Sequence, residues 1–146
     1  MKIGVVIPSY KVTRHILDVI AGIGPEVSKI YVVDDACPDD SGKLVSSKCK
    51  DKRVQVLTHT TNQGVGGAVL TGYAKGLEDD MDIMVKIDGD GQMDPSLIPD
   101  FISPILLGYA DYTKGNRLVT GEARNGWEFP VRSRRGGCVE ELRLHS

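Results

Sequence analysis

Five short, β-rich apolar runs punctuate this chain, at residues 2–7, 29–34, 53–58, 82–87 and about 110–114, each ending near Pro, Asp, Thr or Lys-Gly. The longer stretches between them have helical period. Ile16, Val19, Ile20 and Ile23 share one helical face, as do Val65, Val69, Tyr73 and Leu77. Two more helices are predicted near residues 40–49 and 95–107, the second with Pro95 in its first turn behind Asp94 as cap. Strands alternating with helices predict an α/β domain with a largely parallel sheet. A chain of 146 residues with 40% hydrophobic content suffices for one such domain and its core.

In open α/β sheets ligands gather beyond the carboxyl ends of the strands, so the strand exits deserve the closest reading. The fourth run, Ile83-Met84-Val85 with Ile87, leads into Asp88-Gly89-Asp90-Gly91-Gln92. Two carboxylates and an amide at alternating positions offer only hard oxygen ligands, a set suited to Mg²⁺ or Mn²⁺ carrying a phosphate and not to zinc. A calcium loop is excluded, because its sixth position requires glycine and its twelfth glutamate, where this chain has Met93 and Pro99. A structural alternative, in which the aspartates cap the next turn, stays open; without a cation, the clustered carboxylates repel.

The second run closes with Val32-Val33-Asp34-Asp35, and Ala36-Cys37-Pro38-Asp39-Asp40-Ser41 follows as turn and helix cap. One of the two carboxylates is expected to face a ligand, where it suits a base N–H or a ribose hydroxyl. Pro8-Ser9-Tyr10 supplies a rigid turn and a ring for stacking, although a tyrosine alone is more often a packing residue. Gly64-Val65-Gly66-Gly67-Ala68 fits neither a dinucleotide fingerprint nor a phosphate loop, since Gly67 and Gly72 are not followed by lysine. These glycines are expected to let a helix start close against a neighbouring backbone.

The formal charge of -2 and a pI near 5.9 give no electrostatic footprint for a polyanion, so no nucleic-acid partner is expected. The opening run is broken too soon by Pro8 for a signal peptide, and no segment approaches the roughly 18 apolar residues that span a bilayer; a soluble, cytoplasmic fragment is expected. Cys37, Cys49 and Cys138 are an odd count with no CxxC pair and are read as reduced bystanders. From Thr120 onward apolar periodicity is lost, and an irregular, solvated tail is expected. Its basic cluster at Arg132, Arg134 and Arg135 leaves contact with an anionic lipid or diphosphate open as an alternative.

Taken in order, Val-Ile-Pro-Ser-Tyr at 6–10, Tyr-Val-Val-Asp-Asp at 31–35, Asn-Gln-Gly-Val-Gly-Gly-Ala at 62–68, Asp-Gly-Asp-Gly-Gln at 88–92 and Gly-Asn-Arg at 115–117 resemble the blocks of family 2 glycosyltransferases. The resemblance is to the dolichol-phosphate mannose synthase and polyprenyl-phosphate sugar transferase branch, and it covers residues 2 to about 118. It implies a GT-A, Rossmann-like three-layer sandwich with a mostly parallel sheet, a nucleotide-sugar-binding domain over 1–118 and a divergent tail over 119–146. Pro8, Tyr10, Val33 and Asp35 would surround the base and ribose of a nucleotide-diphosphate sugar. Asp88, Gly89 and Asp90 would lie at the diphosphate, with Asp88, Asp90 and Gln92 holding Mg²⁺ or Mn²⁺. Arg117 would meet the donor phosphates and sugar, its fork suiting bidentate contact, with an ordinary surface ion pair as its alternative role.

The implied reaction is transfer of the sugar to a polyprenyl phosphate or a saccharide, with inversion at the anomeric carbon through a single in-line attack. A phosphate acceptor is largely ionised at neutral pH and needs little help from a base, whereas a sugar hydroxyl needs a carboxylate. Glu140-Glu141 is the only acidic pair in the tail and a weak candidate. Two departures from the family stand out. Lys11 and Val12 follow Tyr10 where the family usually has Asn and Glu, and the family usually continues into an acceptor region and membrane-associated helices. The expectation is therefore a shortened transferase that keeps donor binding, at or near the cytoplasmic membrane face, with peripheral membrane contact and a homodimer left open. A non-catalytic nucleotide-sugar binding module is the rival reading. A nucleotidyltransferase is disfavoured, because Pro8-Ser9-Tyr10-Lys11 is no glycine-rich basic loop.

Overall fold

The computed structural model describes residues 1–113 and the short strand Val131–Arg132. The chain divides into two units, Met1–Ser96 and Leu97–Ser146. In the first, strands β1 (Ile3–Ser9), β2 (Lys29–Asp34), β3 (Val54–Thr58) and β4 (Ile83–Lys86) form one parallel sheet in the order β3-β2-β1-β4. Registers are unbroken, with Val6 opposite Tyr31 on one side and Lys86 on the other. The chain steps outward from β1 through β2 to β3 and then returns to the far side of β1. Right-handed crossovers therefore put helices α1 (Ile16–Ala21) and α2 (Ser41–Lys48) on one face and α3 (Gly64–Glu78) on the other, the three layers that the alternation predicts.

Ile16, Val19, Ile20 and Ile23 are all buried, as their spacing requires. The second apolar face does not behave as predicted. Along α3 the residues turned inward are Ala68, Gly72 and Gly76, flanked by the half-buried Val69 and Tyr73, while Val65 and Leu77 are 59% and 75% exposed. The reason is steric. A Cβ on Gly72 would run into Val6 of β1, and one on Gly76 into Met84 of β4. The helix lies so near the sheet that only small residues fit between, and the larger apolar residues rotate outward. The close approach expected of Gly64, Gly66 and Gly67 is thus made one to three turns later. Gly64 instead turns the chain into the helix at φ +80, and Gly66 has nothing within 4 Å.

Two side-chain clusters tie the elements together. Arg53, just before β3, donates from Nη1 to the carbonyls of Gly24 (2.6 Å) and Val27 (3.1 Å) and from Nη2 to that of Ile23 (3.0 Å), with Asp51 as its ion-pair partner at 2.7 Å. At the end of α3, Asp79 accepts from Tyr31 Oη at 2.7 Å and from Lys29 Nζ at 3.1 Å, and pairs with Lys75. The Tyr31 hydroxyl, then Lys29 and Lys75, hold the Asp79 carboxyl down at about 2.

In the second unit α4 (Ile98–Leu106) follows a 3₁₀ turn at Pro95–Leu97, so the helix predicted from Pro95 starts three residues later. Asp94 does serve that turn, its Oδ1 accepting from the Ser96 N–H at 2.9 Å. The fifth predicted strand shortens to β5 (Tyr112–Thr113), which pairs antiparallel with β6 (Val131–Arg132) in a separate two-stranded sheet. With only two residues it gains little from pairing, and Thr113 Oγ1 instead anchors it to α4 by donating to the Phe101 carbonyl at 2.7 Å. Otherwise the segment expected to be an irregular tail lies outside the described residues. No described helix is long and apolar enough to cross a membrane.

Candidate functional site

The strand order reverses between β1 and β4, and a crevice at the carboxyl ends of a parallel sheet forms at such a reversal. The exits of β1, β2, β3 and β4 carry Tyr10, Asp35, His59 and Asp88-Asp90 respectively, all within the first unit.

At the β1 exit Pro8 is half-buried, and Tyr10 is 42% exposed with the Lys11 ammonium 5.5 Å above its ring. Lys11 has φ 55, and its N–H donates to Cys37 Sγ at 3.1 Å, which ties this loop to the β2 exit. Burial pushes the Cys37 thiol up, but hydrogen bonds from Ser41 and from the backbone of Lys11, Ser41 and Asp39 bring it below its ordinary value. Cys37 and Cys49 are both free thiols, and Cys138 lies outside the described residues. Val33 is wholly buried, packed with Val6 and Ala68, and offers no side-chain surface to a ligand.

The neighbouring carboxylates Asp34 and Asp35 serve different helices. Asp34 accepts from the Cys37 N–H at 2.8 Å and the Gly42 N–H at 2.9 Å, fixing the start of α2, where Asp40, the residue preceding the helix, makes no side-chain cap. Strand alternation points Asp35 the other way. Its Oδ1 accepts from the Gln63 N–H at 2.7 Å at the start of α3 and pairs with His59 Nδ1 at 2.8 Å. Burial alone pushes the Asp35 carboxyl up, but the His59 bond and the backbone N–H groups of Gln63 and Gly64 outweigh it and hold it below the usual carboxylate range. Asp35 is therefore poised as an acceptor.

At the β4 exit Asp88 and Asp90 are half-buried, Gly89 is buried and Gln92 is exposed. Asp88 Oδ1 pairs with Lys86 Nζ at 2.6 Å, and Asp90 Oδ1 accepts from the Gln92 N–H at 3.0 Å. A side chain on Gly89 would press on Ile16, Val12 and Ile7, so the loop is laid tightly over the start of α1. Among the described residues no three His, Cys, Asp or Glu side chains gather as a metal-holding group. The donor chemistry fits a hard ion that arrives with a diphosphate, since Mg²⁺ typically takes one or two carboxylates and fills its remaining positions with phosphate and water. It does not make a cage for an ion on its own.

Arg117, Glu140 and Glu141 lie outside the described residues. The sequence reading missed His59, Thr71, Gln63 and His15. His59 sits at the exit of β3, the one strand end whose side chains the motifs did not single out, and His15 lies against Gly91 of the acidic loop.

The chain is 34% identical over 131 residues to the undecaprenyl-phosphate mannosyltransferase of Micrococcus luteus, a match covering 87% of this chain and 53% of that protein. It is 33% identical over 131 residues to the polyprenol monophosphomannose synthase of Mycolicibacterium smegmatis, covering 86% and 48%. Against the dolichol-phosphate mannosyltransferase of Pyrococcus furiosus the figures are 30% over 133 residues, 88% and 37%. The chain thus spans about half the length of the first relatives it matches, or less. Its fold matches that of S. aureus TarS 1–349, solved in complex with UDP-GlcNAc, with a TM-score of 0.62 at 19% identity over 86% of this chain and 39% of that one. This likeness confirms the GT-A architecture expected of the sequence. The model of glycosyl transferase family 2 matches residues 4–144, well past the last of the five blocks, and the chain belongs to that family.

Proposed function

We propose that this chain is the donor-binding part of a transferase that moves a sugar from a nucleotide-diphosphate sugar to a polyprenyl phosphate, in the service of cell-envelope or polysaccharide assembly. The observation that carries the reading is the acidic loop Asp88–Asp90, set at the exit of β4 where the strand order reverses beside β1. The names of the curated relatives support the lipid-phosphate acceptor over a saccharide.

In this reading Tyr10 stacks on the base, displacing the Lys11 ammonium toward the phosphates, where its charge is useful. Asp35, held ionised, accepts from a base N–H or a ribose hydroxyl. Asp88 and Asp90, with Gln92 beside them, would hold Mg²⁺ or Mn²⁺, which when bound neutralises charge on the departing nucleoside diphosphate. Lys86 is already paired with Asp88 and keeps that carboxylate oriented before any ligand arrives. Arg117 is proposed at the donor phosphates. Attack by the acceptor in line with the leaving group inverts the anomeric carbon, and an ionised lipid phosphate needs no base from the protein.

The test is the melting temperature of the chain against a panel of nucleoside diphosphates, with and without Mn²⁺, beside an Asp90→Ala variant. A rise with one nucleotide that needs the metal and vanishes in the variant is the expected result. No shift with any nucleotide refutes the reading. A second reading is a nucleotide-sugar binding module without turnover, in which Asp35 and the acidic loop only hold the donor. Binding without release of sugar to polyprenyl phosphate would single it out.

A further inference from the structure

Behind Asp35 lies a buried relay that none of the sequence motifs contains. His59 Nδ1 meets Asp35 Oδ1 at 2.8 Å, and His59 Nε2 meets Thr71 Oγ1 at 2.8 Å. The His59 and Asp35 side chains are 8% and 4% exposed. Thr71 Oγ1 also donates to the Gly67 carbonyl at 3.0 Å within α3. The proton inventory has two solutions. With Thr71 donating to Gly67, both ring nitrogens of His59 are donors and the imidazole is charged; with a neutral ring, Thr71 turns its proton to Nε2 and Nδ1 keeps its own. In both, Nδ1–H points at Asp35, so the contact is the same in either arrangement.

The Gln63 N–H occupies the same oxygen at 2.7 Å, and the Gly64 N–H is a further backbone donor to this carboxylate. A carboxylate oxygen has two lone pairs, and here both are taken. We propose that His59, backed by Thr71, is the positioning residue of the base subsite: by filling Asp35 Oδ1 it leaves Oδ2 as the one oxygen able to accept from the donor's base or ribose. This rests on Asp35 being a nucleotide contact, as argued above. One orientation of one acceptor makes the site selective for the base, because a nucleotide whose N–H is displaced finds no second oxygen to meet. Without the relay only the backbone N–H groups of Gln63 and Gly64 hold the carboxylate, which turns more freely about χ2 and lets Oδ1 compete with Oδ2 for the donor.

Calorimetric titration with UDP, GDP, ADP, CDP and inorganic pyrophosphate, in Mn²⁺, separates positioning from mere structure. In His59→Phe the ratio of affinities between the preferred and least preferred nucleotide should fall about tenfold, while pyrophosphate affinity stays within about twofold. His59→Asn, which keeps one N–H donor for Asp35, should restore most of the ratio. Thr71→Val should lower it by a smaller factor, and serves if His59→Phe melts below the assay temperature. An unchanged ratio in His59→Phe and Thr71→Val overturns the inference, as does an equal loss of pyrophosphate and nucleotide binding, which marks the relay as structural. If the unaltered chain binds no nucleotide, or Asp35→Asn retains full selectivity, it is the donor-site assignment itself that fails.

Discussion

Substituting alanine at Gly72 and at Gly66, eight and two residues into the same helix, should move stability in opposite directions. At Gly72 the new Cβ would run into Val6 and approach Val33 Cγ2 at 3.6 Å. Both neighbours are fully buried, and β1 and β2 are each hydrogen-bonded on both sides, so neither can retreat without disturbing a ladder. Overpacking of this kind costs about 1–3 kcal/mol, and replacing a mid-helix glycine by alanine returns about 1 kcal/mol. Because the new Cβ collides outright with Val6, the upper part of that range, about 2–3 kcal/mol, applies and the net expectation is a loss of about 1–2 kcal/mol. Gly66 has nothing within 4 Å, so alanine there should add about 0.5 kcal/mol by restricting the unfolded chain. Urea denaturation followed by circular dichroism resolves both, and the melting temperatures should differ by roughly 4 °C per kcal/mol. A Gly72→Ala protein as stable as the parent would show that α3 does not lie against β1 as described, and the account of which residues face the sheet would fall with it.

Asp34→Asn should destabilise by about 2 kcal/mol in the same denaturation assay, because the amide cannot accept from both the Cys37 and Gly42 N–H groups; an unchanged midpoint would show that α2 is capped otherwise. Arg53→Lys should cost a similar amount, about 2 kcal/mol, since an ammonium cannot span the Ile23, Gly24 and Val27 carbonyls while pairing with Asp51, and equal stability would refute the clamp. The Asp79 carboxyl, held at about 2 against an ordinary 3.8, contributes stability that is complete above pH 4 and is lost as the pH falls toward 2. Asp79→Asn should therefore flatten the pH dependence of unfolding within that window alone, and an unaltered acid limb would contradict the assignment.

The sheet was legible because its central strands β1 and β2 are buried almost throughout and read as apolar runs, and the half-buried β3 and β4 are still mostly apolar; four of the five predicted stretches match the parallel sheet within one or two residues. Helix α1 was legible for a similar reason, Ile16, Val19 and Ile20, with Ile23 just beyond its end, repeating at helical spacing. Helix α3 misled because hydrophobic periodicity assumes that large apolar residues point inward, and here closeness to the sheet selects Ala68, Gly72 and Gly76 instead. At the candidate site, sequence order found the acidic loop and the Asp34-Asp35 pair. It could not apportion the two, since which helix each carboxylate caps depends on strand alternation and on turns from Ala36 to Asp40 and from Thr60 to Gln63. Val33 was placed with the pocket by the family resemblance; it stands two residues before Asp35 and shares its face of the strand, but it is wholly covered there by Val6 and Ala68. His59 escaped notice because its partners Asp35 and Thr71 are 24 and 12 residues away.

The pairing of β4 with β1 joins residues as distant as Ile3 and Ile83, whereas β1 to β2 and β2 to β3 are bridged by far shorter segments. Closing the longer loop is entropically dearer, so β1, β2 and β3 with their connecting helices can assemble while β4 is still searching. Asp35, His59 and Tyr10 belong to the part that forms early, and Asp88 and Asp90 travel on the strand that docks last. A nucleotide that spans both groups would act as a clasp on that final step, slowing the departure of β4 far more than the unravelling of β2 and β3.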